Sequence, residues 1–186
     1  MKIYMIRHGM TSGNREKRYI GRTDEPLCEE GIKELETLDY PHCDMIICSP
    51  MLRCVQTAGL LFESQKIHIV HDLRECDFGD FEGKNYDDLR EDRDYQQWIE
   101  SNGEMQFPKG EKPEEFKKRC CEAFIRISES VQHLDSIAMV VHGGTIMSAL
   151  EKFAVPYKSY YDWNVPNGHG YLCEYDGEKI KVLKKL

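Results

Sequence analysis

The sequence predicts an α/β sandwich of three layers, with a mostly parallel central sheet, helices on both faces and an antiparallel edge near the C-terminus. Three observations predict it. Apolar runs at 3–6, 45–48, 67–70 and 137–141 alternate with longer helical stretches, the pattern of parallel strands joined by crossover helices. Phe116, Cys120, Phe124, Ile127 and Val131 form one stripe at helical spacing, which marks a long helix packed on a sheet. Two further strand-like runs, 171–175 and 180–183, are joined across Asp176-Gly177, a hairpin signal.

Element by element, Ile3-Tyr4-Met5-Ile6 reads as a buried strand, and the polar, glycine-punctuated stretch 10–26 as a loop or loose wrap. Residues 29–38 place Ile32, Leu35 and Leu38 at helical spacing. Met45-Ile46-Ile47-Cys48 is a second core strand, and Ser49-Pro50 reads as the start of a helix over 51–63, with serine as cap and proline in the first turn. A third strand at 67–70 is followed by turn-rich residues 75–83 and a polar helix over 85–99 carrying Tyr86, Leu89, Trp98 and Ile99. After a loop through Gly110, the long helix starts at Pro113. Ile137–Val141 is the clearest strand, and a helix over 145–154 follows it.

The chain has 186 residues, 40% of them hydrophobic and 31% charged, a length and composition that suit one globular domain spanning 1–186. There is no apolar stretch of membrane-spanning length and no secretory leader pattern, so a cytoplasmic protein without membrane association is expected. A net charge of -8 argues against nucleic acid as a partner, which calls for a basic footprint. If the ligand is an anion, the positive groups must be concentrated in its pocket. The eight cysteines include no CxxC pair. They read as reduced core or boundary residues, and neither a metal site nor a cofactor is expected.

The informative polar residues fall at strand exits. Arg7 and His8 follow the first strand, Arg53 lies just beyond the second, Glu75 follows the third and His142 follows the strongest. In parallel α/β sheets, ligands collect outside the carboxyl ends of the strands. Four segments therefore deliver five groups to one crevice. Arginine forks suit phosphate oxygens, histidine can attack phosphorus, and a carboxylic acid can protonate a departing alkoxide. Each residue alone has an ordinary structural explanation, such as a turn, a surface arginine or a solvated carboxylate. Their joint placement is what points to phosphoryl transfer.

Arg7-His8-Gly9, Gly21-Arg22-Thr23-Asp24-Glu25-Pro26-Leu27, Ser49-Pro50-Met51-Leu52-Arg53, Leu73-Arg74-Glu75 and Val140-Val141-His142-Gly143-Gly144 resemble, in order, the motif blocks of the histidine phosphatase superfamily, in its phosphoglycerate mutase-like branch. The resemblance implies that His8 is the nucleophile and Glu75 the acid. It implies that Arg7, Arg53 and His142 grip the phosphoryl oxygens, assisted by Asn14 and the backbone at Gly143. Thr11, Arg18, Gly21, Arg22, Glu82, Tyr86 and His169 are candidates for substrate contact. Among these, Arg18 and Arg22 are equally read as solvated, Thr11 as orienting its loop, and the segment around His169 as a turn. Glu82 either fixes the loop behind Glu75 or is an alternative acid, and Cys76 reads as a buried spacer.

Classical mutases of this branch carry a large basic insertion after the acid block. Here about 60 residues separate Glu75 from the strand before His142, most of them claimed by two helices, so hydrolysis of small phosphate monoesters is expected. Phe107-Pro108-Lys109-Gly110-Glu111 is similar to the Pro-x-Gly-Glu segment of the small α-ribazole phosphatase-like group, although Lys112 stands where serine is common. α-Ribazole 5'-phosphate is therefore the leading substrate. A small cap over the leaving group is expected from about 76–112, with Tyr86, Met105 and Phe107 as candidate lining. Trp163, Asn164 and the Asn167–Gly170 run are further candidates for substrate contact, and a homodimer is an open expectation. The alternatives are a phosphoglycerate mutase and a binding module that retains the pocket without turnover.

Overall fold

A computed structural model describes residues 1–186. The chain runs through β1 (Lys2–Arg7), α1 (Ser12–Arg15), α2 (Glu29–Leu35), β2 (Met45–Cys48), α3 (Leu52–Leu61), β3 (Ile67–Ile69), α4 (Tyr86–Leu89), α5 (Arg93–Glu100), α6 (Pro113–Ser130), β4 (Ser136–Val141), α7 (Gly143–Phe153), β5 (Gly170–Tyr175) and β6 (Ile180–Lys185). The six strands form one sheet in the order β3-β2-β4-β1-β5-β6. The pairs β3/β2, β2/β4 and β4/β1 are parallel, and β1/β5 and β5/β6 are antiparallel. The architecture is the α/β sandwich expected, with its antiparallel edge at the C-terminal hairpin.

Alternation along β4 divides the core. Ile137, Met139 and Val141 join Ile3, Met5 and the inward residues of α6 and α7, while Ala138 and Val140 join Ile6, Ile46, Cys48, the α3 residues Cys54 and Ala58, and Phe62 just beyond α3. Both faces of the parallel strands are covered, which is why those strands read as unbroken apolar runs. On the α6 side, the Phe124 ring meets Phe153 at 5.3 Å and Tyr175 at 5.2 Å, and burying a side chain of this size contributes about 2–3 kcal/mol. All eight cysteines are buried and free. No helix is long and apolar enough to cross a membrane.

A third apolar cluster lies apart from the sheet. It joins Cys76, Phe81, Leu89, Tyr95 and Phe107 to Phe116 and Cys120 of α6. The backbone of this segment is stitched to itself, Asp80 N–H donating to Pro108 O at 2.8 Å and Glu111 N–H to Asp77 O at 2.9 Å.

Several local expectations shift. The single helix expected over 85–99 is two, α4 and α5. Asn85 caps the first, and Asp92 Oδ1 accepts the N–H groups of Asp94 and Tyr95 to start the second, so an aspartate within the helical pattern acts as a new N-cap. The 10–26 stretch contains one helical turn, α1, closed by a capping box between Thr11 and Asn14. The helix after Ser49-Pro50 starts later than expected, with Met51 as N-cap. Its first N–H, at Leu52, donates to Asp24 Oδ1 at 2.7 Å, so a residue from a distant loop caps it, while Ser49 Oγ accepts the Met51 N–H at 3.4 Å and has room for a second partner.

Candidate active site

Strand register places the two histidines together. Arg7 pairs with Val141 across the parallel β1/β4 ladder, and His8 N–H continues it by donating to Val141 O at 2.9 Å. His8 and His142 therefore leave the sheet side by side, their rings 5.2 Å apart in an edge arrangement. Both are buried.

His8 Nδ1 lies 2.7 Å from Gly9 O. A carbonyl only accepts, so Nδ1 carries the ring proton and Nε2 presents a lone pair. Burial, with Arg53 and Arg7 nearby, holds the His8 pKa well below its ordinary 6.5, so the ring is neutral and nucleophilic at physiological pH. His142 is likewise held neutral by burial and by Arg53. Its Nε2 lies 2.7 Å from Ser49 Oγ, the hydroxyl that also accepts the Met51 N–H.

The two arginines are anchored at their tips. Arg53 is fully buried in the first turn of α3, where its terminal nitrogens donate to Thr23 O at 2.9 Å and Gly21 O at 2.8 Å. Arg7 Nη1 donates to Val165 O at 2.8 Å. The Nε of each is buried without a partner. Two unsatisfied donors on buried cations are costly unless a ligand anion accepts from them. Gly143 and Gly144 open α7 immediately beyond His142, so the positive end of a helix faces the same place, with the Gly144 backbone turned to the Glu75 carboxyl. Asn14 completes this end. Its Oδ1 accepts from Thr11 N at 3.3 Å and from Asn167 Nδ2 at 3.0 Å, which leaves its amide NH₂ as a donor.

Glu75 stands where this pocket opens. Its Oε1 accepts the Cys76 N–H at 3.0 Å. Burial raises its pKa above the ordinary 4.5, against the pull of that N–H, Arg53 and Arg7. The carboxyl is therefore disposed to hold a proton. Its backbone is gripped from α6: Arg119 donates to Asp72 O at 2.8 Å, Arg74 O at 3.0 Å and Glu75 O at 3.5 Å. A Cβ at Gly144 would fall 2.6 Å from Glu75 Oε1, so glycine is needed there for the acid to sit against α7.

From Arg7 and Glu75 a cavity of about 860 Å³ extends between the 76–112 segment, α6 and the 159–164 turn. Tyr19, Phe78, Trp98, Phe107 and Tyr161 line it, along with Asn102 and Asn164. Of the sequence candidates, Phe107, Asn164 and Cys76 are on this wall; Tyr86, Met105, Trp163 and His169 are not. Tyr86 is exposed. His169 lies between Glu34 Oε1, 3.5 Å away, and Leu186 O at 3.2 Å. Arg18 pairs with Glu16 and Asp88, and Arg22 with Asp77. Thr11 is fully buried and caps α1. Glu82 accepts the backbone N–H groups of Gly21 at 3.1 Å, Arg22 at 2.9 Å and Phe78 at 3.1 Å, which makes it the staple of the 20–23 loop.

Sequence reasoning missed Ser49 as the partner of His142, Arg119 as the clamp on the Glu75 strand exit, and Tyr160, whose hydroxyl donates to Gly144 O at 3.4 Å. Each acts through a contact distant in sequence and carries no local signal. No group of three or more His, Cys, Asp or Glu side chains is arranged to hold a metal ion.

Known proteins resemble the chain over nearly its whole length. A model of the histidine phosphatase superfamily (branch 1) matches residues 3–185. The adenosylcobalamin/alpha-ribazole phosphatase of Escherichia coli (strain K12) is 27% identical over 177 residues, 90% of this chain and 87% of that protein. The structure of the alpha-ribazole phosphatase from Shigella flexneri superposes with a TM-score of 0.86 at 28% identity, over 100% of this chain and 96% of the other. That of a phosphoglycerate mutase from Thermus thermophilus gives 0.76 at 28% identity, over 100% and 98%.

Proposed function

The chain belongs to branch 1 of the histidine phosphatase superfamily, and on that premise we propose that it hydrolyses small phosphate monoesters by way of a phosphohistidine at His8, with α-ribazole 5'-phosphate as the leading substrate. What supports the mechanism above all is the state of His8: a neutral imidazole with its proton held by Gly9 O, beside two buried arginine Nε–H groups that have no partner.

In the first step His8 Nε2 forms a bond to phosphorus, the bond from phosphorus to the ester oxygen breaks, and the Glu75 carboxyl gives its proton to the departing oxygen. Arg7, Arg53, His142, Asn14 and the N–H group at Gly143 hold the phosphoryl oxygens and offset their charge. The Gly9 carbonyl keeps the imidazole proton on Nδ1 throughout. In the second step a water attacks phosphorus and gives a proton to the Glu75 carboxylate. The bond to Nε2 breaks, inorganic phosphate leaves, and the acid is restored. Residues 76–112 serve as the cap that surrounds the leaving group, with Phe107 and Trp98 on its inner wall.

The substrate proposal draws on the relatives acting on α-ribazole phosphate and on a cavity large enough for a nucleoside-sized leaving group. Incubation with a labelled monoester and an acid-free quench is expected to trap label on the wild-type protein and none on His8→Ala. A fully active His8→Ala overturns the mechanism. A phosphatase screen over α-ribazole 5'-phosphate, phosphoglycerates, sugar phosphates and nucleotides tests the substrate.

A further inference from the structure

The charged groups of the leaving-group cavity are unevenly shared. Beyond Arg7 and Glu75, which border the phosphate end, the wall carries Glu104, Glu114 and Glu151 against the one cation Lys117. That cation is already engaged. Lys117 Nζ lies 2.8 Å from Glu151 Oε2 and 4.2 Å from the centre of the Tyr160 ring. Glu151 is itself held in place, because its Oε1 accepts the Tyr160 N–H at 3.1 Å. An acidic rim and a neutralised cation leave no free positive group for a leaving group to meet, while the rest of the wall is aromatic and amide.

We propose that this cavity selects leaving groups by charge, through Glu104, Glu114 and the Lys117–Glu151 pair. It admits uncharged or cationic alcohols and turns away those bearing a carboxylate or a second phosphate. The inference rests on the phosphatase reading above and adds to it the residues that set specificity. An anionic leaving group would be brought toward three carboxylates, Glu104 and Glu114 at the exposed rim and Glu151 further in, whose combined repulsion carries a penalty on the order of tenfold in kcat/KM. The same cavity is poorly suited to a mutase, whose intermediate must be held by two phosphates at once.

Glycerol 3-phosphate and 3-phosphoglycerate differ chiefly in the charge of the leaving group, and phosphoethanolamine supplies the cationic case. At low salt the wild-type kcat/KM is expected to be at least about tenfold higher for glycerol 3-phosphate and phosphoethanolamine than for 3-phosphoglycerate, and the gap is expected to shrink as salt rises. Glu151→Gln, which frees Lys117 while keeping an acceptor for the Tyr160 N–H, narrows the ratio. So does the surface pair Glu104→Gln with Glu114→Gln, whose exposed positions leave folding untouched. Equal kcat/KM for the two glycerol-derived esters, or ratios unmoved in both variants, overturns the charge filter and leaves the phosphatase reading intact. Failure to hydrolyse any of the three esters, or p-nitrophenyl phosphate, overturns the phosphatase reading itself and this inference with it.

Discussion

Arg119 and Glu111 meet through two parallel hydrogen bonds, Nε to Oε1 at 3.0 Å and Nη2 to Oε2 at 2.7 Å. The pair is mostly buried, with side-chain exposures of 14% and 19%. It joins the end of the 76–112 segment to α6, and the free edge of the same guanidinium holds the carbonyls of Asp72 and Arg74. Glu75 is thus positioned from behind, by a residue that does not itself line the cavity.

Arg119→Leu leaves those carbonyls and the Glu111 carboxylate without their donor. It is expected to cost about 2–3 kcal/mol of stability, read by urea unfolding. Activity should fall more for alkyl esters, whose leaving oxygen needs the Glu75 proton, than for p-nitrophenyl phosphate. Equal losses on both substrates would mean that the pair supports the fold without placing the acid.

The pH profile follows from opposite shifts in His8, the proposed nucleophile, and Glu75, the proposed acid. His8 stays neutral well below pH 6.5 because burial and the two arginines lower its pKa, so acid does not silence it early. Glu75 has a pKa raised by burial, and the proton it must donate is lost as pH rises through that value. A falling basic limb is expected for alkyl esters, and Glu75→Gln flattens it. A basic limb that survives in Glu75→Gln would remove Glu75 as its cause.

Stability carries the other sign. His8 and His142 both have folded pKa values depressed below 6.5, so below that pH the unfolded chain binds protons that the folded one does not. Stability is then lost at up to about 1.4 kcal/mol per pH unit for each histidine. Glu75 opposes this. Its raised pKa favours the folded state below the ordinary 4.5, and that contribution fades as pH climbs through the folded value. Two histidines outweigh one carboxyl, so thermal unfolding is expected to shift downward from pH 7 to pH 5.5. The shift should be reduced in His142→Asn.

Ser49→Ala tests the contact that the sequence hid. With Asp24 capping α3, Ser49 Oγ is the hydrogen-bond partner of His142 Nε2 at 2.7 Å. The remaining near neighbour is a thiol, Cys54 Sγ at 3.6 Å. Alanine leaves a buried imidazole nitrogen without its hydroxyl partner, a cost of about 1–3 kcal/mol, and releases the ring proposed to face the phosphoryl group. A reduced kcat with a smaller change for Ser49→Thr is expected. Wild-type kinetics in Ser49→Ala would show that the bond does not hold the ring for catalysis.

The sequence made the sheet legible because its parallel strands are buried on both faces and punctuated by unusual exits. Arg7-His8, Ser49 through Arg53 and His142 all fall at carboxyl ends of β1, β2 and β4, and register does the rest. What it could not convey were side chains whose partners lie far along the chain. Ser49 looked like a cap because serine before proline usually is one, and only the fold reveals that Asp24 has taken the role. Arg119 sits on the polar face of α6, where charged residues are ordinary. The helix over 85–99 looked continuous because its apolar spacing spans the break, while the Asp92 cap is a local competition that spacing does not report.

Glu82 and Gly21 offer the last test, since both were candidates for substrate contact and their surroundings point to the loop. Gly21 O accepts Arg53 Nη2 at 2.8 Å, its N–H donates to Glu82 Oε1 at 3.1 Å, and a Cβ on it would overlap Cys76 O. The loop therefore holds Arg53, the proposed phosphate-binding arginine, from behind, and Glu82 holds the loop. Glu82→Ala leaves the Gly21, Arg22 and Phe78 N–H groups without their acceptor. It should lower stability by about 1–3 kcal/mol, raise KM for every ester through Arg53, and leave the ratio between esters unchanged. A direct substrate contact would alter that ratio, and an alternative acid would make Glu82→Gln lose rate on alkyl esters while sparing p-nitrophenyl phosphate. Kinetics of Glu82→Ala and Glu82→Gln across the ester panel separate the three roles.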